Sequence, residues 1–504
     1  MSRTIYNPPL PPCPDPFNLV GHVLARSKDQ PDRLALEIVG GPEAQRWTYG
    51  QIDRAVRGVA QGLKALGLPE GSRVLLRLGN SVEFPLAFLG AVAAGLLPVA
   101  TPAPLTVAEI STMARSLAPA LVIAGPGVSL PEGNWPQIPA EALWQMAEGP
   151  EAGFSLGSPD RPAYFVYTSG TSGVARAVIH AHRAIWARRM MWDGWYGLGP
   201  EDRLFHAGAL NWTYTLGTGL LDPWAVGATA LVAAPGLRPA DLPVEIAQRD
   251  VTIFAAAPGV YRQMLKGGTR LEAPRLRHGL SAGERLAEEV RTAWVAASGT
   301  PVFEAFGMSE CSTFISASPA RPAPGGAIGY AQPGRRVAVL DAAGQPLPAG
   351  HPGVLAVHES DPGLFLGYHA AEDDSKARFH GEWFVTGDYV VAAEDGAIRS
   401  LGRMDDMMNA GGFRVAPAEV EAVLARCAGV SDCAATEVTL APGKSIIVAF
   451  YSGTASPAAL KSHAETHLAS YKCPRHFQPL AQLPRTTAGK VNRRALREEW
   501  SGKI

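Results

Sequence analysis

Hydrophobic positions along this chain alternate between helical and strand-like spacing from about residue 17 to residue 400. The apolar residues of one stretch stand three or four positions apart and predict an amphipathic helix: Ile52, Val56, Val59, Leu63 and Leu66. The run 74–76 predicts a short strand, and 84–94 and 97–100 repeat the order of helix and strand. The same alternation recurs at 202–232 and 244–257. Repeated units of this kind predict mostly parallel β-sheets covered by helices.

The pattern changes near residue 320, where proline and glycine become frequent. Short apolar runs at 337–340 and 354–357 are separated by turn residues, which is typical of antiparallel strands. We therefore predict a small β-rich subdomain over about 320–403.

A second change follows Arg403. Beyond it a helix with proline near its start is predicted over 417–425, and a strand over 446–451. We place a domain boundary here. The predicted fold class is α/β, with a large N-terminal domain of parallel βα sheets (1–403) and a smaller α+β C-terminal domain (404–504).

Composition restricts the kind of protein further. The chain has 504 residues, of which 47% are hydrophobic and 18% charged, so it is too long for one core and too apolar for a disordered chain. A formal net charge of −1 gives no electrostatic reason to bind nucleic acid. The five cysteines form no CxxC pair, so we predict neither a metal cluster nor a disulfide scaffold. Without a signal pattern or an apolar run of membrane-spanning length, we expect a cytoplasmic protein.

The segment 167–173 reads Tyr-Thr-Ser-Gly-Thr-Ser-Gly and is the strongest candidate for chemistry. Glycine allows a tight loop whose backbone N–H groups point to one place, and the hydroxyls add further donors, so this loop suits a polyphosphate. The apolar run 164–167 predicts a strand before the loop, and 177–189 predicts a helix after it. The alternative is a Ser/Gly-rich surface linker. The spacing is not the Walker pattern, because no Gly-Lys-Ser/Thr closes the loop.

Five further clusters follow this loop in a fixed order: Ser281–Glu284, Glu304–Glu310, Trp383–Asp388, Gly402–Asp406 and Pro484–Lys490. Together the six clusters span nearly the whole chain. The series resembles the adenylate-forming superfamily of acyl- and aryl-CoA ligases, luciferases and peptide-synthetase adenylation domains, and is most similar to the benzoate-type and medium-chain CoA ligases. The resemblance implies ATP, Mg²⁺ and coenzyme A, a small carboxylic acid as partner, and a mobile C-terminal domain; it allows a homodimer.

The resemblance also implies a role for each nucleotide-site residue. Ser309 would donate to the α-phosphate, Glu310 would bind Mg²⁺, and Lys490 would bridge the acid and the α-phosphate as the catalytic cation. Arg176 keeps a cation where the family usually has lysine, although a guanidinium is not equivalent to an ammonium. The β- and γ-phosphates would lie on Thr168, Ser169, Gly170, Thr171, Ser172 and Gly173. Gly283, Glu284, Glu304, Ala305, Phe306 and Gly307 would form the adenine slot.

The remaining implied roles concern the ribose and the motion between two half-reactions. Asp388 would accept from the ribose hydroxyls, with Arg403 beside it. Asp405 would be the hinge about which the C-terminal domain turns. Gly411 and Gly412 would then line the tunnel for the thiol arm of CoA.

The acyl pocket is predicted from the residues that alignment of the motifs brings together. Small residues would leave volume and aromatic residues would form rigid walls, which suits an aromatic, alicyclic or short- to medium-chain acid. No arginine or lysine is clearly placed there to pair a second carboxylate. The predicted pocket residues are His206, Ala209, Trp212, Tyr214, Ala256, Ala257, Tyr261, Ala282 and Phe314.

The leading prediction is an AMP-forming carboxylic acid–CoA ligase that works through an enzyme-bound acyl-adenylate. One alternative is an adenylation enzyme that loads the thiol of a carrier protein. Another is a non-catalytic nucleotide- or ligand-binding protein of the same fold, which would have no need of Lys490, Glu310 and Asp388 together.

Overall fold

The computed structural model describes eleven ranges of the chain, and every structural statement below refers to them. These ranges are 4–6, 11–41, 45–168, 176–266, 268–406, 408–410, 413–441, 444–468, 470, 472–485 and 491–501. No helix within them combines the length and the apolar character needed to cross a membrane.

The α-helices of the described chain are mostly short. They are α1 (Leu19–Val23), α2 (Tyr49–Ala65), α3 (Glu83–Ala94), α4 (Val107–Leu117), α5 (Ala142–Ala147), α6 (Arg183–Ala187), α7 (Thr213–Leu216), α8 (Asp222–Val226), α9 (Leu242–Gln248), α10 (Pro258–Met264), α11 (Glu288–Ser298), α12 (Glu372–Lys376), α13 (Pro417–Leu424), α14 (Pro457–His467) and α15 (Arg493–Ser501). Turns of 3₁₀ helix occupy Ala25–Ser27, Pro239–Asp241 and Met404–Asp406, and π-helical turns occupy Trp192–Tyr196 and Gly217–Leu221.

The strands are numbered in chain order. They are β1 (Thr4–Tyr6), β2 (Leu34–Val39), β3 (Gln45–Thr48), β4 (Arg73–Arg77), β5 (Leu97–Ala100), β6 (Leu121–Ala124), β7 (Gln137–Pro139), β8 (Pro162–Tyr167), β9 (Ala177–Ala181), β10 (Arg203–His206), β11 (Thr229–Ala233), β12 (Ile253–Ala256), β13 (His278–Ala282), β14 (Val302–Met308), β15 (Ser312–Ser316), β16 (Tyr330–Ala331), β17 (Arg336–Leu340), β18 (Pro352–His358), β19 (Gly367–Tyr368), β20 (Phe379–His380), β21 (Trp383–Ala392), β22 (Ile398–Arg403), β23 (Met408–Ala410), β24 (Phe413–Val415), β25 (Val430–Ala441), β26 (Lys444–Gly453) and β27 (His476–Pro479).

The chain divides by its packing into two compact units. The larger unit comprises Tyr6–Arg336 and His358–Glu382, and the smaller unit comprises Met1–Ile5, Val337–Val357 and Trp383–Ile504. The predicted boundary between residues 403 and 404, and the subdomain over 320–403, stay predictions.

Two sheets build the larger unit. One has the strand order β16-β15-β14-β13-β12-β10-β11-β2-β3, and the other has the order β19-β9-β8-β5-β4-β6-β7. In the first sheet β2, β11, β10, β12, β13 and β14 run parallel, and in the second β8, β5, β4, β6 and β7 do. Parallel neighbours joined through helices are the predicted architecture, and the α/β fold class is confirmed.

Antiparallel strands dominate the smaller unit. β17 pairs antiparallel with β18, and β21 pairs antiparallel with β22, in one sheet where β18 lies next to β21. β25 pairs with β26 in a long hairpin that β27 extends in parallel. The predicted helix over 417–425 corresponds to α13, and the predicted strand over 446–451 lies within β26.

The first predicted helix shows how local sequence sets these elements. α2 starts at a capping box, in which Thr48 Oγ1 accepts from the backbone N–H of Gln51 and the Gln51 side chain accepts from that of Thr48. These contacts satisfy N–H groups that the first helical turn leaves without partners. Of its predicted apolar face, Ile52, Val56, Val59 and Leu63 are fully buried, whereas Leu66 lies just beyond the last helical residue and is 45% exposed.

The prediction of a helix over 177–189 is wrong in its first part. Residues 177–181 form β9, which returns antiparallel to β8, with Ala177 opposite Tyr167 and Val178 opposite Val166. Only Arg183–Ala187 is helical, as α6. The apolar run that suggested a helix is buried because the strand lies between two neighbours in its sheet, β8 and β19.

Candidate functional site

The two ends of the predicted phosphate loop, Thr168 and Arg176, lie at the loop end of the β8–β9 hairpin, next to the Tyr167–Ala177 pair. The Thr168 N–H donates to the Arg176 carbonyl at 2.9 Å, and the Arg176 N–H donates to Thr168 Oγ1 at 3.3 Å. The predicted phosphate ligands Ser169, Gly170, Thr171, Ser172 and Gly173 lie outside the described residues. A strand and not a helix follows the loop, so the helix N-terminus expected to add its dipole is absent from this described segment.

Arg176 lies beside an aromatic ring and a carboxylate. Its guanidinium carbon stands 5.4 Å from the centre of the Tyr368 ring, and Nη1 lies 2.5 Å from Oδ2 of Asp374. The Arg176 side chain remains about one-third exposed, so its cation is partly accessible. Neither Tyr368 nor Asp374 belongs to a motif that the sequence singled out.

Glu310 is buried and accepts a short hydrogen bond from Tyr368, whose Oη lies 2.5 Å from Oε1. Burial, together with the charge of Glu310 and this hydrogen bond, raises the pKa of Tyr368, so the phenol remains the donor. The Glu310 carbonyl accepts from the Phe365 N–H at 2.8 Å. The structure thus brings Arg176, Tyr368 and Glu310 together in one continuous set of contacts.

Ser309 precedes Glu310 and is held through its backbone. Its carbonyl lies 2.7 Å from Nε2 of His180, whose ring stacks on Tyr164 at 5.0 Å. Burial lowers the pKa of His180 to about 4, so the imidazole is neutral and Nε2–H is the donor. This contact holds Ser309 through its backbone carbonyl and does not involve the side-chain hydroxyl, which can therefore bind another partner.

A tight hairpin between β14 and β15 presents the segment that holds Ser309 and Glu310. The register shifts between Phe306 and Gly307, and a Cβ at Gly307 would stand 2.2 Å from the Ser312 carbonyl oxygen. Only glycine fits such an approach. Ser312 has a φ of +56°, in the left-handed region that closes the turn.

The predicted adenine residues lie at the carboxyl ends of β13 and β14. Ala282 pairs with Ala305, which places Gly283 and Glu284 beside the end of β14. Phe306 is half-buried and makes an edge-on contact with Phe314 at 5.5 Å. The carboxyl edge of parallel strands is where α/β proteins bind nucleotides.

Glu304 lies deeper in β14 than the other adenine candidates. Its carboxylate accepts from the Leu286 N–H at 3.2 Å and from Nη2 of Arg291 at 3.1 Å. Burial nevertheless raises the pKa of Glu304 to about 7, with these two partners opposing the shift. A carboxyl group that titrates near neutral pH at a predicted nucleotide edge is a candidate for function.

The predicted ribose residues belong to the smaller unit. Asp388 and Arg403 face each other in the β21–β22 pair, and Nη1 of Arg403 donates to Oδ2 of Asp388 at 2.8 Å. Arg403 also donates to the Thr386 carbonyl at 3.1 Å. Gly387 has a φ of +80°, and a Cβ there would stand 2.9 Å from Nη2 of Arg403.

The predicted hinge residue Asp405 lies in the 3₁₀ turn Met404–Asp406. The next residue, Asp406, is paired with α15 through Arg493 at 3.4 Å and Arg497 at 3.2 Å. Predicted tunnel residues Gly411 and Gly412 and the predicted catalytic Lys490 lie outside the part of the chain that the structure describes.

The predicted acyl-pocket residues separate onto two faces of one sheet. His206, at the end of β10, contacts the Tyr214 ring edge-on at 4.4 Å, on the face shared with Ala282. Tyr261 instead packs in the core of the opposite face between Phe254 and Trp294. Its hydroxyl donates to two backbone carbonyls at 3.0 Å, so this ring is held as part of the core.

His206 is fully buried and neutral. Burial lowers its pKa to about 3, and its Nδ1 accepts from the Gly208 N–H at 3.0 Å. Trp212 is 43% exposed at the start of α7, and Ala209 is also exposed. Ala257 is half-buried at the start of α10, whereas Ala256 and Phe314 are buried.

Sequence reasoning missed a buried arginine near this region. Arg188 lines a small enclosed cavity together with Thr213, which stands between Trp212 and Tyr214. Its guanidinium donates to Asp222 at 2.6 Å and to the hydroxyls of Tyr196, Thr218 and Ser312. Burial alone would lower the pKa of Arg188, but Asp222 outweighs it and keeps the cation charged. No motif marks Arg188, because a single arginine just after a short helix carries no spacing signal.

Known proteins of similar sequence and structure include aryl-CoA ligases and acyl-coenzyme A synthetases. The chain is 28% identical over 516 residues to the 3-hydroxybenzoate–CoA ligase of Aromatoleum sp. (strain CIB), covering 95% of both chains. It is 29% identical over 499 residues to the benzoate–CoA ligase of Thauera aromatica, covering 90% of this chain and 91% of that one.

Among solved structures, the anthranilate CoA ligase AuaEII in complex with anthranoyl-AMP superposes with a TM-score of 0.87 at 25% identity. The match covers 98% of this chain and 99% of that one. These relatives confirm the predicted class, the AMP-forming acyl- and aryl-CoA ligases.

Two family models match the chain in order. The AMP-binding enzyme model matches residues 24–369, and the model of the AMP-binding enzyme C-terminal domain matches residues 419–490. The first covers the phosphate loop, the β14–β15 hairpin and Tyr368. The chain therefore belongs to the AMP-binding enzyme family.

Proposed function

We propose that this protein activates an aromatic or similarly compact monocarboxylic acid with ATP and transfers the acyl group to coenzyme A. The observation that carries the proposal is the continuous set of contacts from Thr168 through Arg176 and Tyr368 to Glu310. These contacts connect the ends of a hydroxyl-rich loop to a buried carboxylate. A site that binds a triphosphate with its metal ion needs both phosphate-binding groups and a carboxylate for the metal. The hydroxybenzoate-, benzoate- and anthranilate-CoA ligase relatives support an aromatic acid.

The first half-reaction forms the acyl-adenylate. A carboxylate oxygen of the acid attacks the α-phosphorus of ATP, and the bond to pyrophosphate breaks as the new P–O bond forms. Arg176, with its accessible guanidinium, would bind the outer phosphates, and Ser309 would donate its hydroxyl to the α-phosphate. Lys490 would neutralise the charge that moves between the carboxylate and the α-phosphate.

Glu310 fits Mg²⁺ as a single protein ligand. Its carboxylate is a hard oxygen donor, and Mg²⁺ usually takes one or two protein carboxylates and completes its shell with phosphates and water. Within the described ranges no three His, Cys, Asp or Glu side chains form a metal cage, which agrees with a shared protein–nucleotide site. When bound, the ion would neutralise the triphosphate, while Glu310 orients it.

The second half-reaction transfers the acyl group. The thiolate sulfur of CoA attacks the acyl carbon, the thioester bond forms, and AMP leaves with the electrons of the broken C–O bond. Residues 411–412 would line the thiol path after a rotation at Asp405. With such a rotation, Lys490 would act in the first half-reaction and the glycine pair in the second, each in its own orientation of the C-terminal domain.

A pyrophosphate-release assay over a panel of carboxylic acids, with and without CoA, tests this function. We expect release with benzoate and hydroxybenzoates, a burst of about one equivalent without CoA, and steady turnover with it. Turnover only with a phosphopantetheinylated carrier protein would favour the carrier-loading alternative. ATP binding with no pyrophosphate from any acid would favour a binding-only protein.

A further inference from the structure

The proposed function uses the contact between Tyr368 and Glu310 but gives Tyr368 no role of its own. Its phenol donates to Oε1 of Glu310 at 2.5 Å, the shortest range for a hydrogen bond between a hydroxyl and a carboxylate. The same segment reaches Glu310 a second time, because the Phe365 N–H donates to the Glu310 carbonyl. One short stretch, 365–368, therefore holds both the backbone and the side chain of Glu310.

The backbone of Tyr368 is fixed independently of Glu310. β19 pairs with β9, with Tyr368 opposite Val178, and the flanking N–H groups of Leu366 and His369 donate to β9 carbonyls at 2.8 and 2.9 Å. The Tyr368 N–H itself donates to Oγ of Ser375 at 2.9 Å. The phenol thus reaches Glu310 from a backbone that β9 and Ser375 hold in place without using the Glu310 carboxylate.

The ring of Tyr368 is also held from the side of the phosphate loop. Arg176 stands over the ring, and Asp374 holds the guanidinium from α12. A cation over the face of an aromatic ring contributes about 0.5–1 kcal/mol at an exposed site. Tyr368 therefore lies between the cation at the end of the loop and the carboxylate proposed to hold the metal.

We propose that Tyr368 is the positioning residue of the metal site: by occupying Oε1 it fixes the Glu310 carboxylate and restricts it to binding Mg²⁺ through Oε2. This inference rests on the proposed function, in which Glu310 is the metal ligand. Outer partners of this kind keep a ligand in one orientation, and their loss typically lowers metal affinity about 10–100-fold.

Calorimetric binding of ATP without acid, repeated over a range of Mg²⁺ concentrations, tests the inference without catalysis. In Tyr368→Phe the Mg²⁺ concentration for half-maximal ATP binding should rise about tenfold or more, while ATP binding without Mg²⁺ stays unchanged. Tyr49→Phe is the matched control, since it deletes a buried phenol that donates to the Ala228 carbonyl at 2.7 Å elsewhere. A purely structural Tyr368 would lower the melting temperature of its variant and leave the Mg²⁺ requirement unchanged, which would overturn the inference.

A double-mutant comparison shows whether Tyr368 acts through Glu310. If it does, Glu310→Gln alone and Glu310→Gln with Tyr368→Phe should have the same Mg²⁺ requirement, whereas two independent, additive effects would overturn the inference. If Tyr368→Phe does not fold, Glu310→Asp can replace it. The shorter side chain draws the carboxylate back from the phenol, so this variant should also raise the Mg²⁺ requirement. An unchanged requirement would again overturn it.

The failure of the proposed function looks different. Wild-type protein that binds no ATP would contradict the function itself, and an unaltered Mg²⁺ requirement in Glu310→Gln would contradict the metal assignment. A defect in Glu310→Gln beside a normal Tyr368→Phe contradicts the positioning role alone.

Discussion

Arg403 and Asp388 face each other across β21 and β22, with Nη1 of the arginine 2.8 Å from Oδ2 of the aspartate. The pair holds the carboxylate in a fixed orientation next to Gly387, where a side chain would collide with the guanidinium. A fixed carboxylate suits recognition of two neighbouring hydroxyls, the role predicted for Asp388.

Asp388→Asn should raise the KM for ATP about tenfold with a smaller effect on kcat. The amide can accept from the ribose, but it loses the charge that makes such hydrogen bonds worth about 1.5–3 kcal/mol and that holds Arg403. Steady-state kinetics with varied ATP measure the change. Glu394→Gln, an exposed change in the same hairpin, is the control, and an unaltered KM in Asp388→Asn would remove the ribose assignment.

The buried carboxyl group of Glu304 should make stability depend on pH. Its pKa is raised from 4.5 to about 7, so the folded state binds the proton more tightly than the unfolded state. The stability contributed by the protonated group is complete below pH 4.5 and is lost as the pH rises through about 7. Glu304→Gln should remove this decrease in the free energy of unfolding with rising pH, which amounts to about 3 kcal/mol at most.

Melting temperatures of both proteins at about pH 5 and about pH 8 check this expectation. The wild type should lose stability over that interval, and Glu304→Gln should change little. Glu289→Gln, exposed on α11, should retain the wild-type profile. A parallel fall in Glu304→Gln would show that other groups cause the pH dependence.

Lys490→Ala should remove most acyl-adenylate formation and spare thioester formation from supplied acyl-adenylate. The reason is that charge moves between the acid and the α-phosphate only in the first half-reaction. Separate assays of pyrophosphate release and of thioester formation measure the two steps. Lys461→Ala, a change at an exposed lysine of α14, should affect neither, and equal losses in both steps with Lys490→Ala would contradict a one-step role.

Asp405→Pro should depress the CoA-dependent step by orders of magnitude and leave adenylation largely intact. Residues on both sides are anchored: Arg403 is paired with Asp388, and Asp406 is paired with Arg493 and Arg497. If Asp405 is the hinge, rotation between these anchors would fall on Met404 and Asp405, and proline fixes φ at one value.

Asp405→Ala is the matched control, because it removes the side chain and keeps backbone freedom. It should perform both half-reactions. A pyrophosphate burst and a thioester assay on both variants decide the matter: equal losses with proline would indicate a misfolded linker, and no loss would place the pivot elsewhere.

The sequence predicts the parts of this molecule that depend on local spacing. The apolar face of α2 and each of the six motif clusters depend only on residues that are close in sequence. The fold class can therefore be predicted from such local patterns. By contrast, the sequence wrongly predicts a helix where β9 forms, because β9 is defined by its pairing with β8 and β19 and its own residues show no strand period.

Contacts between distant segments explain what the sequence does not predict at the site. Tyr368 and Glu310 are 58 positions apart, and the β19–β9 pairing together with the Phe365–Glu310 backbone contact brings the phenol to the carboxylate. Likewise Tyr261 is aromatic and close in sequence to Ala257, but the sheet places its ring in the core of the opposite face. The alternation of side chains along a strand shows which residues share a face of the sheet. Which of the two faces binds a ligand depends on how the whole sheet is packed.

Arg188 lines the same cavity as Thr213, but its positive charge is largely neutralised there, because its guanidinium is paired with Asp222. A second carboxylate on a substrate would have to displace Asp222 from a buried pair, and leaving either anion unpaired there costs about 3–5 kcal/mol. If the acid binds beside Thr213, as the proposed function implies, this buried pair would act against acids that carry a second carboxylate and leave monoacids unaffected.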